Sequence, residues 1–104
     1  MVLVLKVGNI GVEVITFSHV HLGADEITSD RTLPVPMRFL GASLMVGDES
    51  VLNKYQTLTY KVLKSDGTTL VYGNSITQIR VVTYQSAAGG YTQTLHLTVI
   101  GEIA

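Results

Sequence analysis

The sequence predicts an all-β fold: a small antiparallel β-sandwich or partly open barrel of about seven or eight strands, in one domain over residues 1–104. Three observations carry this. Apolar and polar residues alternate with period two in one segment after another, the repeat of a strand with one face buried. The segments are written in Thr, Val, Leu, Ile and Tyr, the residues that fit a pleated surface. Clusters of Gly, Asn, Asp and Ser punctuate them at short intervals, as strand-rich sandwiches and barrels require.

Residues 2–7 open the chain as an apolar strand that leaves through Gly8-Asn9-Ile10-Gly11. From Gly11 the alternation resumes, with Val12, Val14 and Thr16 on one face and Glu13, Ile15 and Phe17 on the other. Both faces carry apolar groups, so one suits the core and the other an interface. Ser18-His19-Val20-His21-Leu22 continues this strand. Residues 23–31, GADEITSDR, are the most polar stretch and read as a surface loop. Leu33-Pro34-Val35-Pro36-Met37 reads as an edge or an extended connector, because proline removes a ladder donor. Residues 38–46 form the next strand, 47–50 a turn, and 50–54 a loop or one short helical turn.

The second half alternates more clearly. Residues 55–63 are a strand, and Asp66-Gly67 is a hairpin signal of type I′. In that register Lys64 faces Thr69, Leu63 faces Leu70 and Val62 faces Val71, so residues 61–72 form two paired strands. Tyr72-Gly73-Asn74-Ser75 turns the chain again. Residues 76–85 and 91–100 are the last two strands, joined by the small, flexible loop 86–90.

Composition narrows the function classes. Only 14% of residues are charged, against about 25% in an average soluble domain. The formal net charge is −1, and the seven Lys and Arg are scattered. Nucleic-acid binding, which needs a basic patch, is not expected. No apolar stretch is long enough for a helical membrane span, and the short apolar start lacks the layout of a signal peptide. There are no cysteines, so neither disulfides nor thiolate metal sites staple the fold. A chain of this size has a thin stability margin as a monomer, and burial between copies is one way to supply what is missing.

Candidate chemistry is sparse. His19 and His21 stand two apart on one strand face, a spacing that suits two imidazoles on one metal. With Glu26 they make a His-x-His-x4-Glu stretch that resembles the first metal-binding motif of the cupins, small β-barrels that include oxygenases and isomerases. The resemblance covers residues 19–26 and implies His19, His21 and Glu26 as ligands, with a further histidine from a later strand. The one later histidine, His96, sits in Leu95-His96-Leu97, which does not match the second cupin motif; the glycine expected after Glu26 is missing too. The plain reading is two strand or loop histidines, no metal and no cofactor. Asp25, Glu26 and Asp30 lack the repeated spacing of a calcium loop and read as solvated. Ser18 beside His19 is adjacency, not a catalytic triad.

Tyr55, Tyr60, Tyr72, Tyr84 and Tyr91 are candidates for an interface or binding surface, since tyrosine has one apolar end and one that tolerates water. The leading expectation is a non-enzymatic structural or assembly protein: a self-associating β subunit, as in the coat, decoration, tail or connector of a phage or viral particle. It would join copies of itself, and possible further structural subunits, in a virion or in the host cytoplasm. The alternative is a binding module for a glycan or protein ligand, using loops 23–31 and 86–90. A small cupin-like metal enzyme ranks third.

Overall fold

The computed structural model describes residues 5–49, 58–85 and 91–103. These form six strands: β1 (Leu5–Val7), β2 (Ile10–His21), β3 (Asp25–Glu49), β4 (Leu58–Leu63), β5 (Ser75–Gln85) and β6 (Tyr91–Glu102). No described residue is helical. The strands make one antiparallel sheet in the order β1-β2-β6-β3-β5-β4, left open between its end strands.

The all-β antiparallel class agrees with the sequence reading; the strand count and the two-sheet or barrel layout do not follow. The main reason is β3. Its 25 residues absorb the segment expected as a loop, the proline connector and the next strand, and they run on through 47–49, expected as a turn. In residues 25–31 the polar side chains alternate like any others. Glu26, Thr28 and Asp30 are exposed, while Asp25, Ile27 and Ser29 are half-buried. Polarity there marks an outward strand face and not a loop. Pro34 and Pro36 fall where the β3–β5 register shifts, between the pairs Thr32–Gln78 and Met37–Ile76. Four residues of β3 stand opposite Thr77 alone, so the prolines sit where the ladder needs no donor.

The expected hairpin is also corrected. Lys64 N–H donates to Thr68 O at 3.0 Å, Gly67 N–H donates to Lys64 O at 2.9 Å, and Leu63 bridges Thr69. The loop therefore has three residues, and its register differs by one from the two-residue type I′ turn. Gly67 takes φ +88°, and no described residue other than glycine has positive φ. Asp66 stays out of the left-handed region and uses its carboxylate instead, accepting from the Thr68 N–H at 2.9 Å and hydroxyl at 2.6 Å. A three-residue loop with glycine in the left-handed position is the next commonest hairpin solution. Beyond the bridge the pairing stops, and β4 pairs with β5 instead. The expected strand 55–63 is described only from Leu58. The expected loops 50–54 and 86–90 and the start of the first strand lie outside the described residues.

β3 changes partner along its length. Residues 25–38 pair with β5 and residues 38–49 with β6, and Arg38 stands opposite both Ser75 and Glu102. The sheet folds over itself through this strand, so side chains of β2 and β6 meet those of β5 and the first part of β3. Phe17, Leu95, Leu97 and Val99 pack in one cluster with Leu33, Met37, Phe39, Ile76, Ile79 and Val81. Burial of each such side chain stabilises by about 1.5–3 kcal/mol. Gly101 permits the closest approach: a Cβ there would lie 2.3 Å from Met37 Sδ and 2.8 Å from its Cβ.

Candidate functional site

β2 carries a strict alternation, and its buried row is Gly11, Glu13, Ile15, Phe17, His19 and His21. Both histidines therefore enter the interior. Along this row the character changes at Phe17, whose ring meets that of His19 edge-on at 6.0 Å. One end of the interior is apolar apart from the buried carboxylate of Glu13. The other holds His19, His21, Thr83, Gln85 and Gln93, each 1% exposed or less.

The polar end is a connected chain. His19 Nε2 lies 2.8 Å from Ser29 Oγ, and His19 Nδ1 lies 2.6 Å from Thr83 Oγ1. Thr83 Oγ1 lies 3.0 Å from His21 Nε2, and His21 Nδ1 lies 2.5 Å from Asp25 Oδ1. The donors follow from counting protons. An ionised Asp25 only accepts, so His21 Nδ1–H donates to it. A neutral His21 then accepts at Nε2 from the Thr83 hydroxyl. Thr83 has a single proton, so His19 Nδ1–H donates to Thr83, and Ser29 O–H donates to His19 Nε2. With Asp25 ionised and His21 neutral, these four bonds all run one way, from Ser29 to Asp25. Burial holds the His19 pKa below the usual histidine range, with the charges of His21 and Arg31 adding to the effect.

The chain spans two strands that are not ladder neighbours. β2 and β3 leave the turn at residues 22–24 and diverge in sheet order. Near this turn the described side chains that cross between them include His21 to Asp25, His19 to Ser29, and the Arg31 guanidinium over the Phe17 ring at 4.8 Å. Gln85 Nε2 donates to Gly23 O at 2.7 Å and holds the turn. Gln93 Nε2 donates to the Tyr60 hydroxyl at 2.9 Å, tying β6 to β4.

The cupin-like ligand set is not assembled. Glu26 is exposed on the outer face, opposite Tyr84 in register, while His19 and His21 point inward. Asp25, its neighbour, is the carboxylate that meets the histidines. All four ring nitrogens already have side-chain partners, none of them Glu26. The expected acidic patch divides likewise: Asp25 binds His21, and Asp30 binds Arg80 at 2.8 and 3.1 Å. Nor do Tyr60, Tyr72 and Tyr84 share a surface. Tyr60 is half-buried and points inward, Tyr84 is exposed on β5, and Tyr72 lies exposed in a turn beneath the Arg38 guanidinium at 5.2 Å. Tyr91 lies in β6 by its backbone, and Tyr55 is outside the described residues. Sequence reasoning missed Ser29, Thr83 and Asp25 as histidine partners. Only the i,i+4 spacing of His21 and Asp25 signalled any of them.

The outer faces form the second candidate. On β2, β6 and the far part of β3, the rows read Val12–Ile100–Gly41, Val14–Thr98–Ser43 and Thr16–His96–Met45. Outward positions 12–20, 92–100 and 41–45 carry no carboxylate, ammonium or guanidinium. Val14, Val20, Met45 and Ile100 are 40, 53, 65 and 39% exposed there. Glu102, beyond Ile100, marks one border.

No protein-family model, curated protein or solved structure matches this chain.

Proposed function

We propose that the chain is a non-enzymatic structural subunit that assembles with copies of itself through the outer face of β2, β6 and the far part of β3. The observation that supports this is the lack of charged side chains at outward positions 12–20, 92–100 and 41–45 of three adjacent strands. Uncharged Thr and Val rows can be buried against another subunit without desolvating ions, and Thr adds hydroxyls that can pair across a contact. A net charge near zero adds little repulsion between copies. In this reading the folded-over sheet works as a partly open barrel, and the setting is a repetitive particle such as a phage or virus coat, decoration, tail or connector. That setting rests on composition and fold alone.

Size-exclusion chromatography with light scattering across a micromolar concentration series tests the reading. An oligomer is expected for the native chain, and a monomer for Thr98→Lys, which puts a charge in the middle of the face. Thr28→Lys on the opposite half should leave the oligomer intact. A native monomer at every concentration would sink the proposal.

A further inference from the structure

We propose that the pocket at the corner of β3 binds the zwitterionic head of a free α-amino acid, with Arg38 pairing its carboxylate and Glu102 its ammonium. The pocket arises where β3 changes partner. Four residues of β3 stand opposite Thr77 alone, so the strand bows away from β5 beside a hollow of about 320 Å³. The buried Met37 and Ile76 line it with apolar surface, as does Pro36. Ser75 and Thr77, both exposed, add hydroxyls. A hollow of this size, largely apolar with a few polar groups, has the character of a small-molecule site.

The charges favour a zwitterion. Arg38 and Glu102 are register partners where β3 begins to pair with β6, and both line the pocket. Opposite charges directly across a ladder attract and ordinarily pair. Here no ion pair joins them among the described residues. The turn at residues 71–74 explains why. Gly73 N–H donates to Phe39 O and Phe39 N–H donates to Asn74 O, both at 2.8 Å, which docks the turn on β3. Tyr72 then lies beneath the Arg38 guanidinium at 5.2 Å, and Gly73, with no side chain, leaves the guanidinium room. Glu102 is half-buried, with no hydrogen bond or ion pair from its carboxylate among the described residues. A carboxylate held partly out of water favours a cation beside it. An α-amino acid carries an ammonium and a carboxylate on one carbon, so it can bridge a guanidinium and a carboxylate that stand apart. The Ser75 and Thr77 hydroxyls can donate to its carboxylate, and an apolar side chain suits Met37, Ile76 and Pro36. The pocket lies within one chain, so binding does not depend on self-assembly.

A proton–nitrogen NMR titration of the native chain with leucine tests this. Saturable shifts are expected at the amides of Arg38, Ser75, Thr77 and Glu102, with Kd on the order of 1 mM or tighter. No saturable shift at tens of millimolar, or shifts centred elsewhere, would overturn the site. N-acetyl-leucine lacks the ammonium, and isopentylamine lacks the carboxylate. Each should bind at least about tenfold more weakly than leucine, the loss of one charge-assisted contact. If either binds as well as leucine, the zwitterion is overturned. Glu102→Gln should remove the advantage of leucine over N-acetyl-leucine, and Arg38→Gln its advantage over isopentylamine. Advantages that survive these changes would overturn the two assigned roles. The ligand series on the native chain decides the zwitterion even where a variant fails to fold.

Discussion

The two halves of the folded sheet share one interior and differ on their outer faces. On β2, β6 and the far part of β3 the outward rows are Val, Thr, Ser and Ile, with Gly41, Met45 and His96. On β5, β4 and the first part of β3 they hold Glu26, Asp30, Arg80 and Lys61, with Asp30 and Arg80 in a two-bond ion pair. The low overall charge is therefore not spread evenly; it is concentrated as an absence on one side. A strand ladder does not demand this, because outward positions are free to be charged. Inward, the same two halves contribute jointly to an apolar end and a polar end.

The largest effect should come from breaking what the halves share. Phe17 is fully buried, touches His19 and lies under Arg31. Phe17→Ala should cost about 3–5 kcal/mol in urea unfolding. A single transition shared by probes in both halves is expected, and two separate transitions would show that the halves are independent bodies. A smaller loss should follow Gly67→Val in the charged half. The left-handed φ at Gly67 strains a β-branched residue by about 1 kcal/mol or more. Thermal unfolding should fall while light scattering stays unchanged, because the turn lies away from the charge-free face. A change in oligomer size with unchanged melting would invert the assignment of the two faces.

Acid should separate interior from exterior more gently. The folded protein holds His19 below its ordinary pKa, mainly by burial, so the unfolded chain binds that proton more readily. Stability from this group is complete above about pH 6.5 and declines as pH falls below it. Urea midpoints at descending pH should show the decline, and His19→Gln should flatten it. Asp30 is held low by its hydrogen bond from Arg80. Its contribution is present above the ordinary carboxylate pKa and is lost as pH falls through the folded value. The pair lies on the outer face with Asp30 exposed and Arg80 partly so, and solvent screens it, so Asp30→Asn should barely move the midpoint, the smallest effect of the set.

The period-two pattern of β2, β5 and β6 was legible in the sequence, as was the antiparallel all-β class. Burial repeats every second residue wherever a strand has one wet face. Glycine at positions 67 and 73 was legible too, since the turns there need positive φ. Residues 25–31 were not, because a polar strand whose outward residues are acidic has the composition of a loop, and only pairing with β5 distinguishes them. The hairpin register was one residue off, because the choice between a two- and a three-residue loop depends on what the next segment pairs with.

For the site, the sequence by itself determined that His19 and His21 share a face. Only the tertiary structure decided which face, and that Ser29 and Thr83, 10 and 64 residues from His19, would fill its ring nitrogens. Local spacing fixes direction within one strand. Partners across a folded sheet are set by register and by where β3 changes neighbour, and neither is written in any one segment.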